Sequence, residues 1–273
     1  MIRKRQLVGV LLAGALVGSA SRSAFANERK FTYTYESGTL PEGTREMEFW
    51  STWRNGRTNF YSRFDHRAEF EFGVTDHLLT AVYLNWRRIV EQDPANPSGT
   101  VSSGEFSSIS SEWKYKLLDP VVDPVGLALY QEYSVGSDEF EWENKLIIDK
   151  RMGNTLAAYN FTVEPDWEFT PGKATRAITV ENTFGVTQFL TSRFSAGLEV
   201  RNVNLQTESS TGFEYSALYL GPVVSYARET WWVTATLLPQ LPALKKSLAN
   251  PQDKWVLDDQ EKLNLRVLAS IRF

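Results

Sequence analysis

The sequence contains no cysteine, which excludes disulfides, thiol nucleophiles, cysteine metal sites and a lipoprotein anchor. Histidine is nearly absent, with only His66 and His77. After residue 26 there is no run of 18 apolar residues, so no transmembrane helix is encoded. Positive charge is not in excess: the formal net charge is −4, and residues 1–26 carry Arg3, Lys4, Arg5 and Arg22 but no acid. From Asn27 onward the chain therefore stands four charges lower, at −8. That balance argues against a nucleic-acid partner, which would need a basic face. Amphipathic helical periodicity is also missing, so nothing is encoded to cover an exposed sheet face as a second layer.

What is present begins with a basic, apolar and small-residue order at the N-terminus. Arg3, Lys4 and Arg5 precede the apolar stretch Leu7 to Val17, and Ala24-Phe25-Ala26 closes the segment. This order predicts a secretory signal peptide over residues 1–26, cleaved after Ala26. Residues 27–44 read as a polar N-terminal leader, either inside a barrel mouth or disordered.

The C-terminus alternates with period two. Leu263, Leu265, Val267, Ala269, Ile271 and Phe273 are apolar, while Asn264, Arg266, Ser270 and Arg272 are polar. Such a strand offers one face to lipid and one to a lumen. Its terminal aromatic, Phe273, resembles the signal by which the outer-membrane assembly machinery recognises its substrates. The implied partners are therefore that machinery and outer-membrane lipid.

The same alternation recurs in about twelve segments between residues 45 and 273. Phe64, Ala68, Phe70 and Phe72 oppose Arg63, Asp65, Arg67, Glu69 and Glu71, and Ile109, Trp113, Tyr115 and Leu117 oppose Glu112, Lys114 and Lys116. Mean hydropathy is −0.32, polar for a helical membrane protein but in keeping with a barrel, where every second residue faces lipid. The expected fold is all-β: a single antiparallel transmembrane β-barrel of about twelve strands in the bacterial outer membrane. Short periplasmic turns fall near 73–77, 119–124, 152–154, 185–192 and 228–230. Extracellular connections fall near 90–104, 166–173, 206–213 and 240–260, mostly longer. Trp53, Phe60, Trp86, Tyr133, Trp142 and Phe161 would form an outer aromatic girdle. Phe72, Tyr115, Phe184, Phe194, Tyr226, Trp231 and Phe273 would form an inner one. Pro222, inside the tenth segment, predicts a bulge, because proline cannot complete a ladder.

Two stretches carry a resemblance. Phe70-Glu71-Phe72-Gly73-Val74-Thr75-Asp76-His77-Leu78 is a strand, a tight turn and a strand, and Gly185-Val186-Thr187-Gln188 repeats its turn. Trp113 to Pro120, continuing through Asp123-Pro124 to Gly126–Tyr130, is a second such hairpin. Both resemble inner turns of a large set of proteobacterial outer-membrane barrels, including uncharacterised families and the phenol-degradation-associated barrels. The resemblance implies architecture and a loose transporter role, since turn motifs carry no substrate information.

Function is sought in the lumen. The strand phases turn Arg63, Arg67, Glu69, Glu112, Lys114, Glu143, Lys145, Glu181, Glu199, Arg201 and Arg266 inward, with acids and bases nearly balanced. A lumen for strongly anionic solutes should be mainly basic. The mixed lining leaves two arrangements: ladders of charge along a water-filled pore, or pairs that fill a narrow one. The expected function is a passive channel or uptake protein for small solutes, with no cofactor. The alternatives are a structural or adhesin-like barrel with a plugged lumen and, third, a lipid-modifying enzyme. Outer-membrane phospholipases, also twelve-stranded, place a histidine and a serine two positions apart on a lipid-facing strand. His66 is flanked by Phe64 and Ala68, and Leu79 stands two positions beyond His77. A base without its nucleophile is no triad, so no enzymatic activity is expected, and two histidines on one hairpin lack the ligand spacing of a metal site.

Overall fold

A computed structural model describes residues 28–273; the expected signal peptide lies outside them. Twelve strands follow in order: β1 (Arg45–Asn55), β2 (Tyr61–Thr75), β3 (Leu78–Gln92), β4 (Thr100–Leu118), β5 (Gly126–Gly136), β6 (Glu139–Met152), β7 (Thr155–Thr170), β8 (Lys173–Phe189), β9 (Phe194–Thr207), β10 (Tyr215–Ala227), β11 (Trp231–Lys245) and β12 (Leu263–Arg272). Each pairs antiparallel with its sequence neighbours, and β1 pairs with β12 from Glu46↔Arg272 to Asn55↔Leu263, closing the barrel. Closure leaves no sheet edge, so the ladder can satisfy its backbone groups without water.

Register turns the alternation into two surfaces. Glu48, Trp50 and Thr52 lie opposite Glu69, Arg67 and Asp65 and face inward, while Phe49 and Trp53 pair with Ala68 and Phe64 and face outward. Phe49, Val82, Ile109, Val135, Leu198 and Ile271 are each about half exposed on the outer face. Water would disfavour so continuous an apolar belt, whereas lipid accommodates it.

Several strands run further than the sequence pattern marks. β7 and β8 continue to a turn of two residues, where Gly172 adopts φ +78°, and β3 and β4 shorten the 90–104 connection to residues 93–99. Polar outer-end residues such as Glu168 and Thr175 pair across β7 and β8 as readily as apolar ones, so the ladder outlasts the hydropathy signal. Pro222 does not mark the bulge expected of it. It pairs in unbroken register with Leu198, and the irregularity of β10 lies between Ser216 and Leu218. The ladder to β11 has no pairs between Tyr219 and Val223, so the missing proline N–H falls in a gap rather than forcing an extra residue.

The lumen is occupied. Residues 28–44 precede β1, and within them Phe31, Thr32, Thr34, Ser37 and Leu40 are fully buried. This segment sets the geometry of everything inside the barrel.

Candidate functional site

The luminal segment rises from the periplasmic end, turns near Tyr33, and descends to β1. Its lower limbs are joined where the Lys30 N–H donates to Glu36 Oε1 (2.7 Å). On the descending limb, Asp149 Oδ1 accepts the Ser37 N–H (3.3 Å), Thr39 Oγ1 donates to the Asp76 carbonyl (2.9 Å), and the Gly43 N–H bonds the Gly73 carbonyl (2.9 Å). At the apex, the Glu199 carboxylate accepts three consecutive backbone N–H groups, from Thr32 (3.2 Å), Tyr33 (2.7 Å) and Thr34 (2.6 Å). It also accepts the hydroxyls of Thr32 (3.3 Å) and Thr236 (2.7 Å). Asn160 completes the frame: its Oδ1 accepts the Tyr35 N–H (2.6 Å) and its Nδ2 donates to the Tyr35 carbonyl (2.9 Å). A segment with no ladder of its own must find partners for its buried backbone groups, and here strand side chains supply them.

Apolar contacts fix its direction. Phe31 packs with Leu156, Ala158 and Val223, and it needs Gly185 beside it: a Cβ there would sit 2.5 Å from the Phe31 ring. Tyr33 joins Val203, Tyr215 and Tyr219, and Tyr35 joins Trp50 and Tyr130. Cations cover the rings, with Arg29 over Tyr35 (3.7 Å to the centroid), Arg266 over Tyr33 (3.8 Å) and Lys145 over Tyr35 (4.1 Å). Such contacts gain strength where water is excluded. Glu36 lies outside the strands, and burial, opposed by Arg29 and the Lys30 N–H, pushes its carboxyl up to about 7.

Above the segment, the outer mouth is half covered. The 246–262 loop folds inward, burying Val256 and Leu257. The Gln240 side chain accepts the Val256 N–H (2.7 Å) and donates to its carbonyl (3.0 Å), and buried Glu261 pairs with Arg57 (2.7 Å). The uncovered side holds a vestibule of about 220 Å³ lined by Trp50, Thr52, Arg54, Arg63, Asp65, Arg67, Arg87, Glu139, Glu141 and Arg266, among others.

The inward residues read from the sequence fall into distinct settings. Arg63 pairs with Asp65 (2.6 Å), Arg67 with Glu132 (3.2 Å), Lys145 with Glu143 (2.7 Å) and Arg201 with Glu181 (2.6 Å). Glu69, Glu112 and Lys114 are buried among other luminal groups, and Glu199 holds the segment. Arg266 differs. Its Nε donates to Thr52 Oγ1 (2.8 Å) and one Nη to the Thr32 carbonyl (3.4 Å). No carboxylate among the described residues forms an ion pair with it. His66 lies on the lipid side between Phe64 and Trp86, at 6.2 and 5.6 Å between ring centroids. His77 meets the Lys116 carbonyl at 3.2 Å in an inner turn. Sequence reasoning missed the luminal roles of Phe31, Tyr33, Tyr35, Trp50 and Asn160. The alternation Phe31-Thr32-Tyr33-Thr34-Tyr35 was the available signal.

A family model described as a family of unknown function, DUF6662, matches residues 23–273. The chain belongs to the DUF6662 family. No curated protein matches it. Among solved structures, the NanC porin is similar with a TM-score of 0.54 at 11% identity, over 83% of this chain and 100% of that one. The β domain of the Bordetella autotransporter BrkA gives a TM-score of 0.50 at 12% identity, over 85% and 100%. At such identities the likeness is one of fold. Together with the closed twelve-strand architecture, it makes this DUF6662 member a bacterial outer-membrane β-barrel.

Proposed function

We propose that this barrel is an uptake channel for small polar solutes, closed at rest by its own N-terminal segment. The observation carrying this reading is the reception of three backbone N–H groups of that segment by Glu199. At this turn the contact is polar, with Phe31, Tyr33 and Tyr35 packed into apolar clusters on either side. Hydrogen bonds of this kind can be exchanged for water once the segment withdraws.

Arg266 supports a link between solute and segment. It lines the vestibule, has no carboxylate partner among the described residues, and touches the segment through Tyr33 and Thr32. A solute carrying an anionic group could take this guanidinium as its partner and compete with the Thr32 carbonyl. A charge-assisted bond of that kind is roughly twice as strong as a neutral one. The reading needs no enzymatic step. The likeness of the turns around Gly73 and Asp119 to phenol-degradation-associated barrels adds no solute identity. The terminal Phe273, 65% exposed beside Phe70, is the proposed handle for the assembly machinery.

The plugged barrel remains the competing reading, favoured by the depth at which Phe31 is locked against Gly185. Liposome swelling separates the two, with wild type set beside a variant lacking residues 28–40 and neutral, anionic and cationic solutes in turn. The channel reading expects slow swelling for wild type and fast swelling for the folded deletion. A folded deletion that still excludes every solute would favour the plugged barrel.

A further inference from the structure

Five glutamates meet on the inner wall near the periplasmic end. Glu46 stands directly opposite Glu71, and Glu48 directly opposite Glu69, on neighbouring strands. Glu112 joins them from β4 across Ala81. Like charges directly opposed on a sheet are destabilising, and here two such rungs are adjacent and all five side chains are at most 4% exposed.

Two groups of oxygens, from Glu46, Glu48 and Glu71 and from Glu69, Glu71 and Glu112, each lie within 4.8 Å of one another. A cation bonding oxygens at about 2.3–2.6 Å spans that distance. A second observation is independent of this grouping: Glu48 Oε1, Glu69 Oε2 and Glu112 Oε1 are buried and have no hydrogen-bond partner. A buried carboxylate oxygen left without a partner is costly.

Several basic groups stand near the cluster. Arg272 is taken by Glu46 (3.0 Å), Arg67 by Glu132 and Lys145 by Glu143. Arg29 acts electrostatically on Glu48 and Glu112, and Lys114 on Glu112.

We infer that Glu69, Glu71 and Glu112, with Glu48 at the edge, form a luminal site for a hard divalent cation, calcium above all. The all-carboxylate oxygen set suits calcium or magnesium rather than softer metals. The site sits on three strands of a rigid wall beside Arg29 of the luminal segment. It is independent of whether the barrel conducts.

Trp50 offers a direct readout, since its indole N–H donates to Glu48 Oε2 (2.9 Å). Purified full-length barrel in detergent, stripped with EDTA, would be titrated with Tb³⁺ under tryptophan excitation and then with CaCl₂. The expected result is saturable sensitised emission that calcium displaces, and a melting temperature that calcium raises. The pair Glu69→Gln and Glu112→Gln should lose the emission. Should that pair fail to fold, Glu112→Gln alone should weaken calcium at least tenfold. Wild type that shows no saturable emission and no calcium-dependent melting would overturn the site. So would unchanged affinity in a folded glutamine variant, because the ion would then lie elsewhere and the carboxylates would be neutralised by protons.

Discussion

Glu199 on β9 accepts the backbone N–H of Thr34 at 2.6 Å, across 165 positions of sequence. One carboxylate thereby fixes the turn of a segment that makes no ladder of its own. The Glu199→Ala substitution should release that turn at a cost of about 3 kcal/mol in docking, since buried bonds to a charged acceptor are lost together. Hydrogen exchange at residues 31–35 should accelerate while exchange within the strands stays slow. Unchanged protection at 31–35 would remove Glu199 from its role.

Gly185 tests the apolar side of the same dock. In Gly185→Ala the new Cβ would meet the Phe31 ring at 2.5 Å, displacing the ring rather than the strand. Limited trypsin digestion should then cut at Arg29 or Lys30 several times faster than in wild type, with little change in melting temperature. A variant that melts far earlier and is digested throughout would show that the strand, and not the segment, had given way.

Docking should depend on pH through Glu36. Its carboxyl is raised to about 7 by burial when the segment is in place and returns to the ordinary carboxylate range of roughly 4.3 when the segment is out. The docked state therefore binds the proton more tightly. Its contribution is fully present below the ordinary value and is lost as pH rises through about 7. Protease access to residues 28–40 should increase between pH 5 and 8, and Glu36→Gln should flatten that profile.

Arg266 should govern selectivity. Arg266→Ala removes the vestibule cation that lacks a carboxylate partner among the described residues, and with it the contacts with Tyr33 and Thr52. In a barrel lacking residues 28–40, it should reduce anion permeation several-fold relative to neutral solutes. Equal loss for both classes would mark a merely structural change.

How much of this was legible beforehand follows from where each signal resides. The β12 alternation from Leu263 to Phe273 places Arg266 and Leu265 on opposite faces without reference to any other strand. Arg67, Glu69 and Glu112 are placed inward in the same way, because period two fixes a face locally. For the segment, the sequence left a place inside the barrel mouth and disorder both open. Its alternation, Phe31 to Tyr35, resembles a strand, yet its N–H partners are Glu199 and Asn160, more than a hundred residues away. Trp50 shares a face with Glu48 and Thr52 by the same alternation, but its packing against Tyr35 depends on where another segment lies. The opposition of Glu46 with Glu71 was hidden for the same reason, since pairing partners are a property of two strands.

The most direct test of the account is single-channel recording in a planar bilayer, with refolded wild type beside the same barrel lacking residues 28–40. Folding of both would be checked by heat-modifiable mobility. Wild type should be silent or open only in rare brief steps, and the deletion should show steady ohmic conductance. Steady conductance in wild type equal to that of the deletion would contradict closure by the segment, and silence in both would contradict a channel altogether.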